Sequence, residues 1–346
     1  MKANNNKDAS IIIKAISNFL NGYVQTFLTQ SECTLESYAS TLSKYLKFLE
    51  NQGITQFTID RTSFEKSQIE KWVSYMLTEE KLKPETCNVR LGGLRTFIKY
   101  LSSVSVEYKY LYLEACQIPI LKTAKNKVSG ISKKGIKVIM SLPDQKNRTG
   151  IRDLTFMVLA YSTGARMSEL LDIKIKNINL DGGKSYINII GKETKVRTLY
   201  LLPKAVSHLK NYIEIFHGDN PKQEDYLFYS RNGGMKGKLC SRAIEKRLSE
   251  YGKQGHEICP DVPKDLHAHL FRHARATHWL DEGLNIFTIK ELLGHEQIET
   301  TMKYLDITIE EEARALSSLD NNKDIKTPKK WKNKDGSLSS ILKKYI

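Results

Sequence analysis

The chain has 346 residues, a net charge of +15 and a hydrophobic fraction of 40%. That length accommodates two ordinary domains, and that hydrophobic fraction supplies packed cores, which excludes a wholly disordered chain. No apolar run reaches the roughly eighteen residues that a membrane-spanning helix needs, so no membrane association is expected, and the polar start MKANNNKDAS lacks the apolar stretch of a secretory signal.

Residues 1–10 are polar and read as a disordered N-terminus. From Ile11 the apolar pattern turns helical. Leu35, Tyr38, Leu42, Tyr45, Leu46 and Leu49 recur at three- and four-residue steps and line one helix face, and Gly53 ends that helix. A second stripe runs through Ile69, Trp72, Val73, Met76 and Leu77. Pro84 opens the next helix, whose stripe is read as Val89, Leu94, Phe97, Ile98 and Leu101. Residues 11–116 are therefore expected to form a small helical domain, with its aromatic residues in the core. Pro119, several lysines and Ser129-Gly130 then break the periodicity, which marks 117–133 as a linker.

The longer domain, 134–319, begins with an apolar helix at 151–161, ended by Thr163-Gly164. Tyr186–Ile190 and Val196–Leu202 alternate as strands do, and Gly191-Lys192-Glu193-Thr194-Lys195 between them reads as a lysine-bearing hairpin turn. Helices follow at about 204–216, 241–251, 270–282, 286–293 and 299–317, with Gly283 and Gly294 as caps. The fold class expected is mainly α with a small β-hairpin or sheet, an α+β second domain after a helical first one. The five cysteines, Cys33, Cys87, Cys116, Cys240 and Cys259, are odd in number and show no CxxC pair, which fits reduced thiols in a reducing compartment.

The charge is concentrated. Residues 117–143 hold six lysines and no acid, and the tail 320–346 holds eight lysines against three aspartates. A connector and a tail this basic suit a polyanion, and nucleic acid is the usual one.

Four segments carry candidate chemistry: Thr163-Gly164-Ala165-Arg166-Met167-Ser168-Glu169-Leu170, the lysine-bearing hairpin, His269-Leu270-Phe271-Arg272-His273, and Leu292-Leu293-Gly294-His295 with Tyr304 nine residues beyond His295. Together they match what a phosphodiester needs. Arg166 and Arg272 can each grip a non-bridging oxygen by paired hydrogen bonds. The three-residue step from His269 to Arg272 puts both on one helix face. A tyrosine hydroxyl, with a pKa of about 10, needs a base or strongly positive surroundings to attack, and His269 could accept its proton. Lys192 on the hairpin could protonate a 5′-oxygen leaving group, with Lys195 as its rival, and His295 could donate to the phosphate. His267 competes with His269 but misses the spacing. His273 and His278 are read as structural. Of 17 tyrosines, Tyr304 is selected by its distance from His295. The chemistry calls for no metal, no ATP and no other cofactor, and neither zinc-ligand clusters nor a phosphate-binding GxxxxGK[ST] loop is present.

Arginine, lysine, histidine-x-x-arginine, histidine and tyrosine, in that order at Arg166, Lys192, His269, Arg272, His295 and Tyr304, resemble the signature of the tyrosine recombinase or integrase family, whose members include Xer-type recombinases and phage and transposon integrases. The resemblance is strongest over 166–304 and weaker over Thr34–Leu101, which is similar to the family's helical, SAM-like core-binding domain. It implies a two-domain C-shaped DNA clamp, with a core-binding domain at 11–116 and a catalytic domain at 134–319. It implies cleavage and rejoining of double-stranded DNA at an inverted-repeat core site, through a 3′-phosphotyrosyl bond to Tyr304. The partners implied are synapsed DNA, a homo-tetramer, and accessory or directionality factors. A cytoplasmic, nucleoid-associated location follows. The tail 320–346 contains a short amphipathic stretch around Leu338, Ile341, Leu342 and Tyr345, which the resemblance would dock on a neighbouring protomer. Two alternatives stay open on residues alone: a type IB topoisomerase, which shares these groups, and a non-catalytic DNA-binding regulator.

Overall fold

The computed structural model describes residues 2–123, 130–180, 184–191, 195–230 and 233–304, with side chains from residue 7 onward. Lys192, the tail 320–346 and the end of the helix expected at 299–317 lie outside the described residues. The chain divides into two compact units, Met1–Asn126 and Lys127–Ile346.

The first unit is helical: α1 (Lys2–Asn18) running into a π-wound stretch (Phe19–Leu28), then α2 (Glu32–Glu50), α3 (Lys66–Thr78), α4 (Pro84–Val104) and α5 (Lys109–Gln117). The expectation of disorder over residues 1–10 is corrected. Residues 2–10 belong to α1, and Asp8 and Ala9 are buried. The cause is a pair of polar contacts that composition does not show: the Asp8 carboxylate accepts from Arg61 Nε at 3.0 Å and from the Tyr108 hydroxyl at 3.1 Å. Ile12, Ala15 and Phe19 continue the inward face at helical steps.

The stripes on α2 and α3 place Leu42, Tyr45, Leu49, Ile69, Trp72, Val73 and Met76 in the core. Tyr45 meets Trp72 edge-on at 4.9 Å between ring centres, an arrangement that adds to the burial energy of both rings. On α4 one expected core residue faces out: Val89 is 64% exposed, while Cys87 and Leu91 are buried. Val89 lies five residues before Leu94, which turns it away from that face, whereas Cys87 and Leu91 stand seven and three residues away.

The connector expected over 117–133 is anchored at both ends. Ile118 is buried in the helical core, and Ile131 is buried in the core of the second unit. Ser132 caps α6 (Lys133–Ser141), its hydroxyl accepting from the Gly135 amide at 3.0 Å.

The second unit continues with α7 (Arg148–Thr163), α8 (Met167–Leu171), β1 (Ile178–Asn179), β2 (Tyr186–Ile190), β3 (Val196–Tyr200), α9 (Pro203–His217), β4 (Tyr229–Ser230), β5 (Gly234–Lys238), α10 (Ser241–Ile258), α11 (Ala268–Asp281) and α12 (Ile286–Leu293). A turn of helix at 299–304 ends the described chain. This is a mainly helical α+β unit. Helix α7 is its axis: Asp153–Ala160 are buried without interruption, because α7 packs against both α9 and α11. β1, β2 and β3 form an antiparallel sheet in which Ile187 faces Leu199 and Ile189 faces Arg197. Ile187, Ile189 and Leu199 enter the core, as their alternation predicts. The hairpin β4–β5 was not expected. Gly234–Lys238 is nearly all exposed and has Met235 as its one apolar side chain, so it carries no alternation to read.

Candidate active site

Helix α7 ends where Gly164 takes a left-handed conformation, with φ of 62°. A Cβ there would also come within 2.9 Å of Leu293 Cδ2. Glycine therefore serves two needs at this corner: a positive φ, and close approach of α12. The turn delivers Arg166 to the N-terminus of α8. Glu169, one helical turn on and buried, holds it there. Its carboxylate accepts from the Arg166 amide at 2.7 Å and from Arg166 Nη1 at 2.9 Å. The same carboxylate takes both terminal nitrogens of Arg197 on β3, at 3.1 and 2.6 Å. Burial alone would raise the Glu169 pKa. The hydrogen bonds from Arg197 and the Arg166 amide outweigh it and keep the group below the usual carboxylate range. Gly191, at the root of the hairpin that bears Lys192, lies against this cluster, since a Cβ on it would sit 4.0 Å from Glu169 Oε1. The backbone bond from Gly191 N to Lys195 O, 2.8 Å, closes the hairpin at that root.

Helix α11 contributes His269, Arg272 and His273. Arg272 is 0% exposed. Its Nη1 donates to the Gly164 carbonyl at 2.8 Å and its Nη2 to the Leu293 carbonyl at 2.7 Å. Its Nε is buried with no hydrogen-bond partner among the described residues. No carboxylate stands at ion-pair distance from it among those residues. Burial, and then the charge of Arg166, pull its pKa down to about 10, which leaves it cationic at neutral pH. A buried guanidinium held only by neutral carbonyls is an anion site in waiting.

His295 follows the left-handed Gly294 that caps α12, and its Nδ1 lies 2.7 Å from the Thr301 hydroxyl. That contact ties the α12 corner to the turn of helix carrying Tyr304. Tyr304 is 2% exposed and packs in a small cluster with Ala276, Trp279, Ile289 and Leu293. Burial raises its pKa, against the pull of Arg272 and Arg166, so the phenol is protonated at rest. The ring at hydrogen-bond distance from its hydroxyl is His273, whose Nδ1 is 2.9 Å away. His269 stands edge-on to His273 with ring centres 4.3 Å apart, and its charge environment is set by Arg272, His267 and Arg166.

Five of the six sequence-predicted residues, Arg166, His269, Arg272, His295 and Tyr304, thus share one electrostatic neighbourhood in the second unit. The sixth, Lys192, falls outside the described residues. His278 pairs with the Tyr161 hydroxyl at 2.8 Å, and His267, the residue just before α11, turns away from the helix, its Nδ1 2.8 Å from the Asp265 carbonyl. The reading of His273 as structural is revised, because it touches the phenol oxygen. Its signal was its place four residues after His269, on the same helix face. Glu169 was also missed, although its three-residue spacing from Arg166 at a helix start is that of a capping pair.

The site sets an acid limit on stability. Burial first, and neighbouring cations next, depress His295 to about 3 and His273 to about 4. The unfolded chain takes up these protons near pH 6.5. Between that value and the folded pKa values the unfolded state binds more protons, so stability rises with pH across the window and is lost as pH falls. The urea midpoint is expected to drop from about pH 7 to about pH 5, and His295→Gln should flatten that slope. An unchanged slope in the variant would place the titration elsewhere.

A model of the Phage integrase family matches residues 130–311. Tyrosine recombinase XerC of Chlamydia caviae is 28% identical over 313 residues, spanning 86% of this chain and 96% of that protein. Tyrosine recombinase XerD of Listeria monocytogenes is 27% identical over 278 residues, spanning 80% and 88%. Among solved structures, the XerH site-specific recombinase bound to a palindromic difH substrate superposes with a TM-score of 0.66 at 17% identity, over 84% of this chain and 80% of that one. The Tn1549 transposon integrase in complex with transposon right end DNA gives 0.65 at 15% identity, over 88% and 99%. At those identities the two structures attest a shared fold.

Proposed function

Because the chain belongs to the phage integrase family, we propose that it is a site-specific tyrosine recombinase, cutting and rejoining double-stranded DNA through a 3′-phosphotyrosyl bond to Tyr304. The observation that carries this reading is the buried Arg272, cationic and without a carboxylate at ion-pair distance among the described residues, set beside Arg166 and a buried phenol. A scissile phosphate is the anion that such a group suits.

Arg166 and Arg272 would hold the two non-bridging oxygens and stabilise the charge that builds on them. Arg166 is 43% exposed, with one edge of its guanidinium taken by Glu169, so it can meet DNA from solvent. His295 would donate to the same phosphate from a neutral ring. Tyr304 attacks phosphorus, a histidine of α11 takes the phenol's proton, and Lys192 protonates the departing 5′-oxygen. The phosphotyrosyl bond conserves the energy of the broken linkage, so rejoining needs no nucleotide. The helical first unit and the catalytic unit would both bind the duplex.

The XerH structure holds a palindromic substrate, and a lambda integrase structure is a dimer on a core site. By analogy the substrate here is an inverted-repeat core site, and a homo-tetramer would synapse two such sites. Phosphate contacts from the basic connector should make binding fall steeply with salt.

The test is a duplex carrying the cognate site and a nick beside the cleavage position, so that the short strand diffuses away after cleavage. The wild-type protein should form a covalent adduct that survives denaturation, with the linked peptide containing Tyr304, and Tyr304→Phe should form none. An adduct on any other residue would sink the assignment.

A further inference from the structure

We infer that His273, rather than His269, accepts the Tyr304 proton in strand cleavage and returns it in ligation. This rests on the recombinase reading above.

The geometry separates the two histidines by task. They stand one turn apart on α11, and of the two it is the His273 ring that lies at hydrogen-bond distance from the nucleophile, with Nδ1 2.9 Å from the hydroxyl. His269 is a turn closer to the helix start and shares the field of Arg166 and Arg272, where the phosphate would lie. The phenol is 2% exposed and packed among Trp279, Ile289 and Leu293, so bulk water is a poor alternative acceptor. The groups that face His273 are His269, Arg272, His267, Lys303 and Tyr304 itself. Burial first, and the positive charges of Arg272 and Lys303 next, keep the ring neutral at physiological pH with a lone pair free for the phenol. The arrangement uses the tautomer with its proton on Nε2.

A ring held near pKa 4 does not deprotonate a phenol at rest. In the DNA-free chain it aligns the hydroxyl. Transfer accompanies attack: the bond from the Tyr304 oxygen to phosphorus forms, the bond from phosphorus to the 5′-oxygen breaks, and the phenol proton passes to Nδ1. The 5′-oxygen takes a separate proton. The scissile phosphate, an anion arriving among the cations that depress His273, favours the imidazolium. Ligation runs the same steps backwards.

Two substrates test this with the full chain. One is the nicked duplex, which reads cleavage. The other carries the site's 3′-end as a p-nitrophenyl phosphate ester opposite a 5′-hydroxyl strand. Its joining needs no proton delivered to the leaving phenolate. His273→Ala and His273→Gln are expected to slow adduct formation by about 100-fold or more at neutral pH. Their rates should climb with pH more steeply than the wild type's. Joining of the nitrophenyl ester should stay within about threefold of wild type, a range that leaves less than one kcal/mol of effect. His269→Ala should slow both reactions if it serves the phosphate. The inference is overturned if the His273 variants cleave at the wild-type rate, if they lose both reactions together, or if His269→Ala shows the loss confined to cleavage. A wild-type protein that forms no adduct on its own site would instead remove the recombinase reading.

Discussion

Arg272→Ala is expected to lower covalent adduct formation by about a thousandfold or more, while moving the urea midpoint of the catalytic unit only modestly. The two effects come from one fact: this guanidinium is fully buried, with neutral acceptors only among the described residues. Removing a donor placed on developing negative charge costs roughly two to three orders of magnitude in comparable sites, and Arg272 supplies a full charge as well. In stability the terms oppose each other. The substitution leaves the Gly164 and Leu293 carbonyls without their donor, at about 1–3 kcal/mol each. It also releases a buried cation beside Arg166, whose desolvation costs several kcal/mol. The net change should stay within about 2 kcal/mol. Arg272→Lys keeps the charge but loses the fork that spans two carbonyls, so it should recover only part of the rate. Wild-type adduct formation in Arg272→Ala would make the residue a structural strut and withdraw it from the reaction.

The helical stripes were readable because burial on a helix repeats at 3.6 residues. Trp72, Met76, Phe97 and Leu101 all reached the core on that rule. The sheet was readable because Ile187 and Ile189 alternate with polar or exposed neighbours. What escaped was structure without a hydrophobic period. Residues 7–10 of α1 are held by a carboxylate that finds Arg61 and Tyr108 more than fifty positions away. Strand β5 is a backbone pairing with almost no buried side chain.

The candidate site divides in the same way. Phosphoryl chemistry restricts residue type, so arginine, histidine and tyrosine at fixed spacing could be picked out as a set. Their environments could not. That Arg272 has carbonyl partners, that His273 meets the phenol, and that one carboxylate serves two arginines are consequences of α7, α8, α11, α12 and β3 meeting in space.

That shared carboxylate carries the second large expectation. Glu169→Gln should destabilise the catalytic unit by about 3–5 kcal/mol, the range for breaking a buried ion pair from one side. Glu169 is buried and bonded to both Arg166 and Arg197. The amide can still accept a hydrogen bond from the Arg166 backbone, so the cap on α8 survives. What it cannot do is neutralise charge. Arg166, Arg197 and Arg272 then share one region with no carboxylate between them among the described residues, where Arg197 Nε already lacks a partner. Removing this anion should therefore cost more than removing the cation Arg272, although arginine buries more atoms. The same variant should react slowly, because Arg166 loses the contact that fixes its guanidinium. Added DNA, as a polyanion, should restore part of the lost stability, since it returns negative charge to the cluster. Denaturant titrations of the free and DNA-bound forms check both points. A midpoint in Glu169→Gln equal to wild type would show that solvent screens the three arginines well enough without it.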